Sequence, residues 1–82
     1  MELYKRYIKV VAVYGKMGDV QPLYFYWDDG KKYQIDRILS KERRASQVGG
    51  CGIRYVCMIQ GSQRSLFLEQ EKNRWFIESY QP

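Results

Sequence analysis

Histidine is absent from this chain of 82 residues, and cysteine and proline occur only twice each. Without histidine, the side chain that most often acts as general base and as catalytic-triad partner is missing. Zinc is also disfavoured, because structural zinc is held by histidines or by closely spaced cysteine pairs. We therefore expect a protein that is not an enzyme, with no catalytic residues, no metal site and no cofactor.

Long apolar runs are also lacking, since none approaches the roughly 20 residues that a membrane-spanning helix needs. Lys9 interrupts the apolar stretch that an N-terminal signal peptide would require. We therefore expect a cytoplasmic protein that does not enter a membrane. Cys51 and Cys57 lie six residues apart in one predicted extended segment. If both lie in strand, their Cα atoms are about 20 Å apart, too far for a disulfide. Both thiols are expected to be reduced, with Cys57 as a small core residue.

Acidic residues are missing between Glu42 and Glu69, although four arginines fall within this interval. They are Arg43, Arg44, Arg54 and Arg64. The chain as a whole carries a formal net charge of +5. This asymmetry predicts a positive field over part of the surface, which would attract nucleic acid or an acidic protein surface.

Aromatic residues, in contrast, are plentiful, with eight Tyr, three Phe and two Trp. Large rings bury much area per residue, which allows a short chain to fold around its own core. At this length there is room for one core only, so residues 1–82 are expected to form a single domain.

Alternation of apolar and polar residues with a period of two is typical of β-strands and dominates the pattern. Strands are predicted over residues 7–14, 22–27, 32–39, 53–59, 65–69 and 74–78. Asp29-Gly30 predicts a hairpin turn after the second strand, and the adjacent Ile38 and Leu39 predict a β-bulge. Residues 40–47 have no apolar stripe, so an extended or irregular arm is expected there.

These strands predict an all-β fold, a small antiparallel meander of five or six strands, strongly bent or closed as an SH3-like or OB-like barrel. A flat sheet with apolar residues on both faces would expose edges that aggregate. Gly49, Gly50 and Gly52 are expected to supply sharp bends. The glycine-rich segment lacks the Lys-Ser/Thr of a P-loop, so a bend is favoured over a nucleotide site. A single twisted sheet that dimerises through one face is the second possibility.

Three motifs follow one another along the chain: Phe25-x-Trp27-x-Asp29-Gly30-x-x-Tyr33, Gly49-Gly50-x-Gly52-Ile53-Arg54-Tyr55 and Trp75-Phe76-Ile77-Glu78. With these motifs the chain resembles a family of short bacterial proteins that have no known activity. The likeness covers nearly the whole chain from Tyr7 onward. It implies a free-standing bacterial domain, and it implies no substrate, no cofactor and no role for any residue.

The residues expected to bind a partner are the four arginines and two tyrosines. Single-strand nucleic-acid binders combine a positive groove with aromatic platforms on a β surface. The expected phosphate contacts are Arg43, Arg44, Arg54 and Arg64. Tyr24 and Tyr26 are the expected stacking platforms, because they lie on the strand face opposite Phe25. Tyr55, in contrast, shares a strand face with Ile53, Cys57 and Ile59, so we expect it to be buried. For Arg54 an internal ion pair with Asp36 or Glu69 is the alternative.

The sequence thus predicts a non-catalytic binding module with a basic surface suited to nucleic acid. The alternative is a protein-interaction or self-associating module, including a homodimer, that uses Tyr- and Trp-rich β surfaces.

Overall fold

The structure, a computed structural model, describes the backbone of residues 2–45 and 51–80, with all of their side chains except those of residues 44, 45 and 51. Within these ranges the chain forms seven β-strands and no helix. The strands are Tyr4–Tyr14 (β1), Val20–Tyr26 (β2), Lys32–Gln34 (β3), Arg37–Ala45 (β4), Cys51–Ile59 (β5), Ser62–Glu69 (β6) and Arg74–Ser79 (β7). Every pairing between them is antiparallel, which confirms the predicted all-β class.

The strands follow the order β3-β2-β1-β7-β6-β5-β4 in one curled sheet that forms half of a barrel. Two segments change partners along their length. β1 pairs with β7 over residues 4–8 and with β2 over residues 9–14. Where β3 passes into β4, the N–H of Ile35 bonds to β2 and the N–H of Asp36 bonds to β5. These bonds draw the outer strands together and bend the sheet around its concave side.

The structure has seven strands where five or six were expected, because one predicted strand is divided in two. Residues 32–39, predicted as one strand, are divided at Ile35 and Asp36, where the chain leaves β2 for β5. Residues 40–45, expected in an extended or irregular arm, continue β4. Their charged pattern suits an edge strand, because charges there oppose association with other edges. The predicted β-bulge is confirmed by the shift in register between Ile38 and Ser40.

The core fills the concave side of the sheet. Tyr55 and Leu66 are fully buried at its centre, and the ring of Trp75 lies 5.2 Å from that of Tyr55. The Tyr55 hydroxyl donates a hydrogen bond of 2.6 Å to the carbonyl of Val20. This bond satisfies a buried polar pair and joins β5 to β2 across the interior. The prediction that Tyr55 is a core residue is confirmed.

Cys57 is fully buried beside Tyr55, as predicted for a small core residue. Burial raises the pKa of its thiol to about 11. The thiol is therefore protonated at neutral pH, and only the thiolate is an effective nucleophile.

Gly52 lies within β5, and its lack of a side chain has a steric reason. A Cβ at this position would collide with the carbonyl oxygen of Leu68 in β6. Gly52 thus allows β5 and β6 to approach closely, whereas a sharp bend was expected from it. Gly49 and Gly50, the other predicted bends, lie outside the described residues.

Candidate nucleic-acid interface

The convex side of β1, β2 and β3 carries tyrosine rings together with lysine ammonium groups. Tyr24 and Tyr26 point outward because Phe25, between them, points into the core. The strand register places Lys9 of β1 and Lys32 of β3 on either side of Tyr26. We call the surface formed by Tyr24, Tyr26, Lys9 and Lys32 the Tyr–Lys face.

Each ring of the Tyr–Lys face has a cation over it. The Nζ atom of Lys32 lies 4.0 Å from the centroid of Tyr24, and that of Lys9 lies 5.5 Å from the centroid of Tyr26. The two ring centroids are 5.9 Å apart, with an interplanar angle of 85°.

Negative charge is lacking on this side of the three strands. By the register, the outward positions are Lys9, Val11, Val13, Gln21, Tyr24, Tyr26, Lys32 and Gln34. None of these residues is acidic, so the two ammonium groups are not neutralised by a carboxylate on the same strands. A positive, ring-bearing surface of this kind suits an anionic and aromatic ligand.

A second convex cluster, the Tyr7–Glu69 cluster, lies on β1, β6 and β7. The Tyr7 hydroxyl donates a hydrogen bond of 2.6 Å to Glu69, and the guanidinium of Arg74 lies 4.5 Å from the centroid of Tyr7. Lys5 and Arg74 each approach the Glu69 carboxylate to 3.8 Å. The carboxylate thereby offsets the positive charge, in contrast to the Tyr–Lys face.

These contacts shift the pKa values of Glu69 and Tyr7. The hydrogen bond from Tyr7 lowers the pKa of Glu69, and the charges of Lys5, Arg74 and Lys72 add to this effect. The same hydrogen bond raises the pKa of the Tyr7 hydroxyl. Glu69 is therefore ionised and Tyr7 neutral over the whole range near neutral pH.

The lowered pKa of Glu69 makes the stability of the fold depend on pH. A carboxyl group whose pKa is lower in the folded than in the unfolded state stabilises the fold above its unfolded pKa, about 4.5 for Glu. That contribution disappears as the pH falls through the folded pKa. We expect Glu69→Gln to lower the free energy of unfolding at neutral pH and to have little effect in acid. Urea unfolding at a series of pH values measures both.

The matched control is Glu71→Gln, because Glu71 is exposed in the neighbouring turn. It should leave the pH dependence of stability unchanged. A loss from Glu69→Gln that is equally large in acid would contradict the assignment.

The structure separates the arginines predicted to bind a partner. Arg54 donates to the Ser65 hydroxyl at 3.1 Å and approaches the Glu42 carboxylate to 3.4 Å, so its ion-pair partner is neither Asp36 nor Glu69. Arg43 is exposed and lines a cavity of about 330 Å³ with Lys5. Arg64 lies on the other side of the sheet, in a second cavity. The side chain of Arg44 lies outside the described residues.

Sequence reasoning identified both tyrosines of this face and missed both lysines. The hairpin turn fixes the register of β3 against β2, so the sequence could have predicted that Lys32 lies beside the two tyrosines. Lys9 follows from the alternation already assigned to the first strand, but its contact with Tyr26 depends on a register that the sequence alone does not give.

The paired carboxylates of the hairpin turn serve local structure. Asp29 accepts a hydrogen bond of 2.9 Å from the backbone N–H of Lys31, and Asp28 forms an ion pair with Arg6. In residues 2–45 and 51–80, no group of three or more His, Cys, Asp or Glu side chains lies close enough together to hold a metal ion. Among the same residues, no helix has the length and apolar character needed to span a membrane.

Comparison with known proteins gives no match: no family model, no curated protein and no solved structure is similar to the chain. The resemblance to short bacterial proteins therefore stays an expectation.

Proposed function

We propose that this protein is a non-catalytic cytoplasmic module that binds single-stranded nucleic acid on its Tyr–Lys face. One observation carries the proposal: two outward tyrosines each have a lysine ammonium over the ring, on three strands whose outward positions hold no carboxylate. Proteins that bind single strands use this combination, with bases stacked on rings and phosphates held by cations.

When nucleic acid binds, a base replaces the lysine ammonium group as the partner of each tyrosine ring. In the free protein an exposed cation–ring contact contributes only about 0.5–1 kcal/mol, whereas stacking of a base on an aromatic side chain contributes about 1–3 kcal/mol. A base that takes the ring releases the ammonium group of Lys9 or Lys32, which then pairs with a neighbouring phosphate. Because the two rings are inclined by 85°, they support bases that are splayed apart and not stacked on each other.

Arg43 is not part of this face. The cavity that it lines with Lys5 also holds Glu69 and Glu71, and Glu69 pairs with Lys5. In this proposal the curved sheet works as SH3-like and OB-like barrels do, presenting a small rigid β surface to an extended ligand.

The charge variants Lys9→Gln and Lys32→Gln test the proposal. Each removes one phosphate contact, so each should weaken binding and should reduce the slope of log Kobs against log salt by about 0.7. Fluorescence anisotropy with labelled oligo-dT and oligo-U between about 50 and 200 mM salt measures the slope.

Lys16→Gln is the control, because Lys16 is exposed in the turn between β1 and β2. It should change neither affinity nor slope. If the wild-type protein has no measurable affinity for either oligonucleotide at low salt, or if Lys16→Gln acts as strongly as Lys9→Gln, the proposal fails.

Self-association through the Tyr–Lys face is the competing hypothesis, and sedimentation of the protein tests it. Sedimentation of the protein without oligonucleotide would then show a stable dimer, and Tyr24→Ala would convert it to a monomer. That result, together with absent oligonucleotide binding, would assign the Tyr–Lys face to an interface between two copies of the chain.

A further inference from the structure

The concave side of the sheet holds a cavity of about 400 Å³ between two hairpins. The β2–β3 hairpin contributes Phe25, Trp27 and Tyr33, and the β5–β6 hairpin contributes Ile59 and Arg64. Sites for small molecules have volumes of about 300–1,000 Å³ and combine apolar walls with a few polar groups. The cavity opens on the side of the sheet opposite the Tyr–Lys face, so it is a separate site.

Arg64 is the arginine that lines this cavity, and the register places it on the concave side. It lies opposite Cys57, whose side chain points into the core, and so it takes an inward position of β6 like its neighbour Leu66. Arg6, Arg54 and Arg74 each pair with a carboxylate. Within the described residues Arg64 has no hydrogen-bond or ion-pair partner. A guanidinium at an inward position is thus left with its donors available at the mouth of the cavity.

Aromatic rings form one wall of the cavity. Phe25 and Tyr33 are stacked, with centroids 5.4 Å apart and an interplanar angle of 21°. The indole of Trp27 has the guanidinium of Arg6 over its ring, 5.0 Å from the centroid. Ile59 and Ile77 add apolar lining, and Gln60, Ser62 and Ser79 add polar lining. Walls of this kind best accommodate a ligand with a planar aromatic ring.

We propose that this cavity binds a small planar aromatic anion, with its ring against Trp27 and Tyr33 and its anionic group on Arg64. The guanidinium fork matches a carboxylate or a phosphate, with two parallel hydrogen bonds. Glu78 also lines the cavity and has an interaction of its own. The register pairs Glu78 with Lys5 of β1, so its carboxylate lies on the convex side of the sheet and does not oppose the anionic group in the cavity.

Two pairs of probes test the charge requirement and the source of the anion. The first pair is 2-naphthoate and its neutral analogue 2-naphthamide, and the second is UMP and uridine. The chemical shift of the Trp27 indole N–H, followed by NMR during titration, reports binding in the cavity. We expect each anion to bind about tenfold or more tightly than its neutral analogue, because a hydrogen bond to a charged group contributes about 1.5–3 kcal/mol. The better anion identifies the ligand as an aromatic carboxylate or a nucleotide.

Arg64→Gln should weaken binding of the better anion by about tenfold or more, to the level of the neutral analogue. The matched control is Arg37→Gln, because Arg37 is also exposed and does not line the cavity. It should have no effect. Glu78→Gln should leave the affinity for the anion unchanged or increase it.

Equal affinity for the anion and its neutral analogue, unchanged binding by Arg64→Gln, loss of binding by Glu78→Gln or the absence of any shift at Trp27 would each overturn the proposal. Oligonucleotide binding should be unaffected by Arg64→Gln, since the Tyr–Lys face lies on the other side of the sheet. The two proposals can therefore fail independently.

Discussion

Replacing both Tyr24 and Tyr26 by alanine should remove most of the affinity for single-stranded oligonucleotides. Loss of one stacked base costs about 1–3 kcal/mol, which corresponds to a fall in affinity of roughly 5- to 150-fold for each ring. The rings contact each other, so the two losses are not strictly additive, and we expect a fall of about 30-fold or more for the double variant. Fluorescence anisotropy at low salt measures it.

Conservative and matched variants separate stacking from a general effect on the surface. Tyr24→Phe with Tyr26→Phe keeps both rings and should retain nearly all of the affinity. Tyr14→Ala removes a tyrosine that is 56% exposed at the end of β1, and it should not alter binding. Far-ultraviolet circular dichroism establishes that each variant is folded. Full affinity in the folded double alanine variant would exclude these rings as the binding surface.

Trp75→Ala should lower the free energy of unfolding by about 3–5 kcal/mol, since truncation of a buried Trp removes both burial and packing. Trp75 is 5% exposed and packs against the fully buried Tyr55. For a small domain with a total stability of about 5–15 kcal/mol, this loss is large enough to leave a substantial unfolded population. Urea unfolding monitored by circular dichroism gives the free energy.

Two further variants, Trp75→Phe and Met17→Ala, provide losses of stability with which the effect of Trp75→Ala can be compared. The phenylalanine variant retains part of the ring and should lose less stability than the alanine variant. Met17 is 86% exposed in the turn after β1, so its replacement should change stability by less than about 0.5 kcal/mol. A loss from Trp75→Ala no larger than that from Met17→Ala would show that Trp75 does not belong to the core.

The strands and core positions could be predicted because they depend on local alternation. Tyr55 was identified as buried from its place among Ile53, Cys57 and Ile59, all of which lie in the core or pack against it. The bulge after Ile38 was also visible as a break in a period of two. These features need no knowledge of which strands are neighbours.

Features that depend on distant neighbours could not be predicted in the same way. The division of residues 32–39 arises because the chain exchanges β2 for β5 as its partner, and no residue type marks that exchange. The pairing of Arg54 with Glu42 requires the register of β4 against β5. Lys9 of the Tyr–Lys face was missed for the same reason, because it contacts Tyr26 through the pairing of β1 with β2.

The position of β1 between β2 and β7 has a consequence for the order in which the molecule assembles. β4, β5, β6 and β7 are successive neighbours in sequence, so their hairpins form by closing short loops. Tyr4, by contrast, lies opposite Ser79, with almost the entire chain between them. Because loop-closure entropy grows with the length of the loop, contacts between distant segments form late and slow folding. We therefore expect the β4–β7 meander to form before β1 docks onto it.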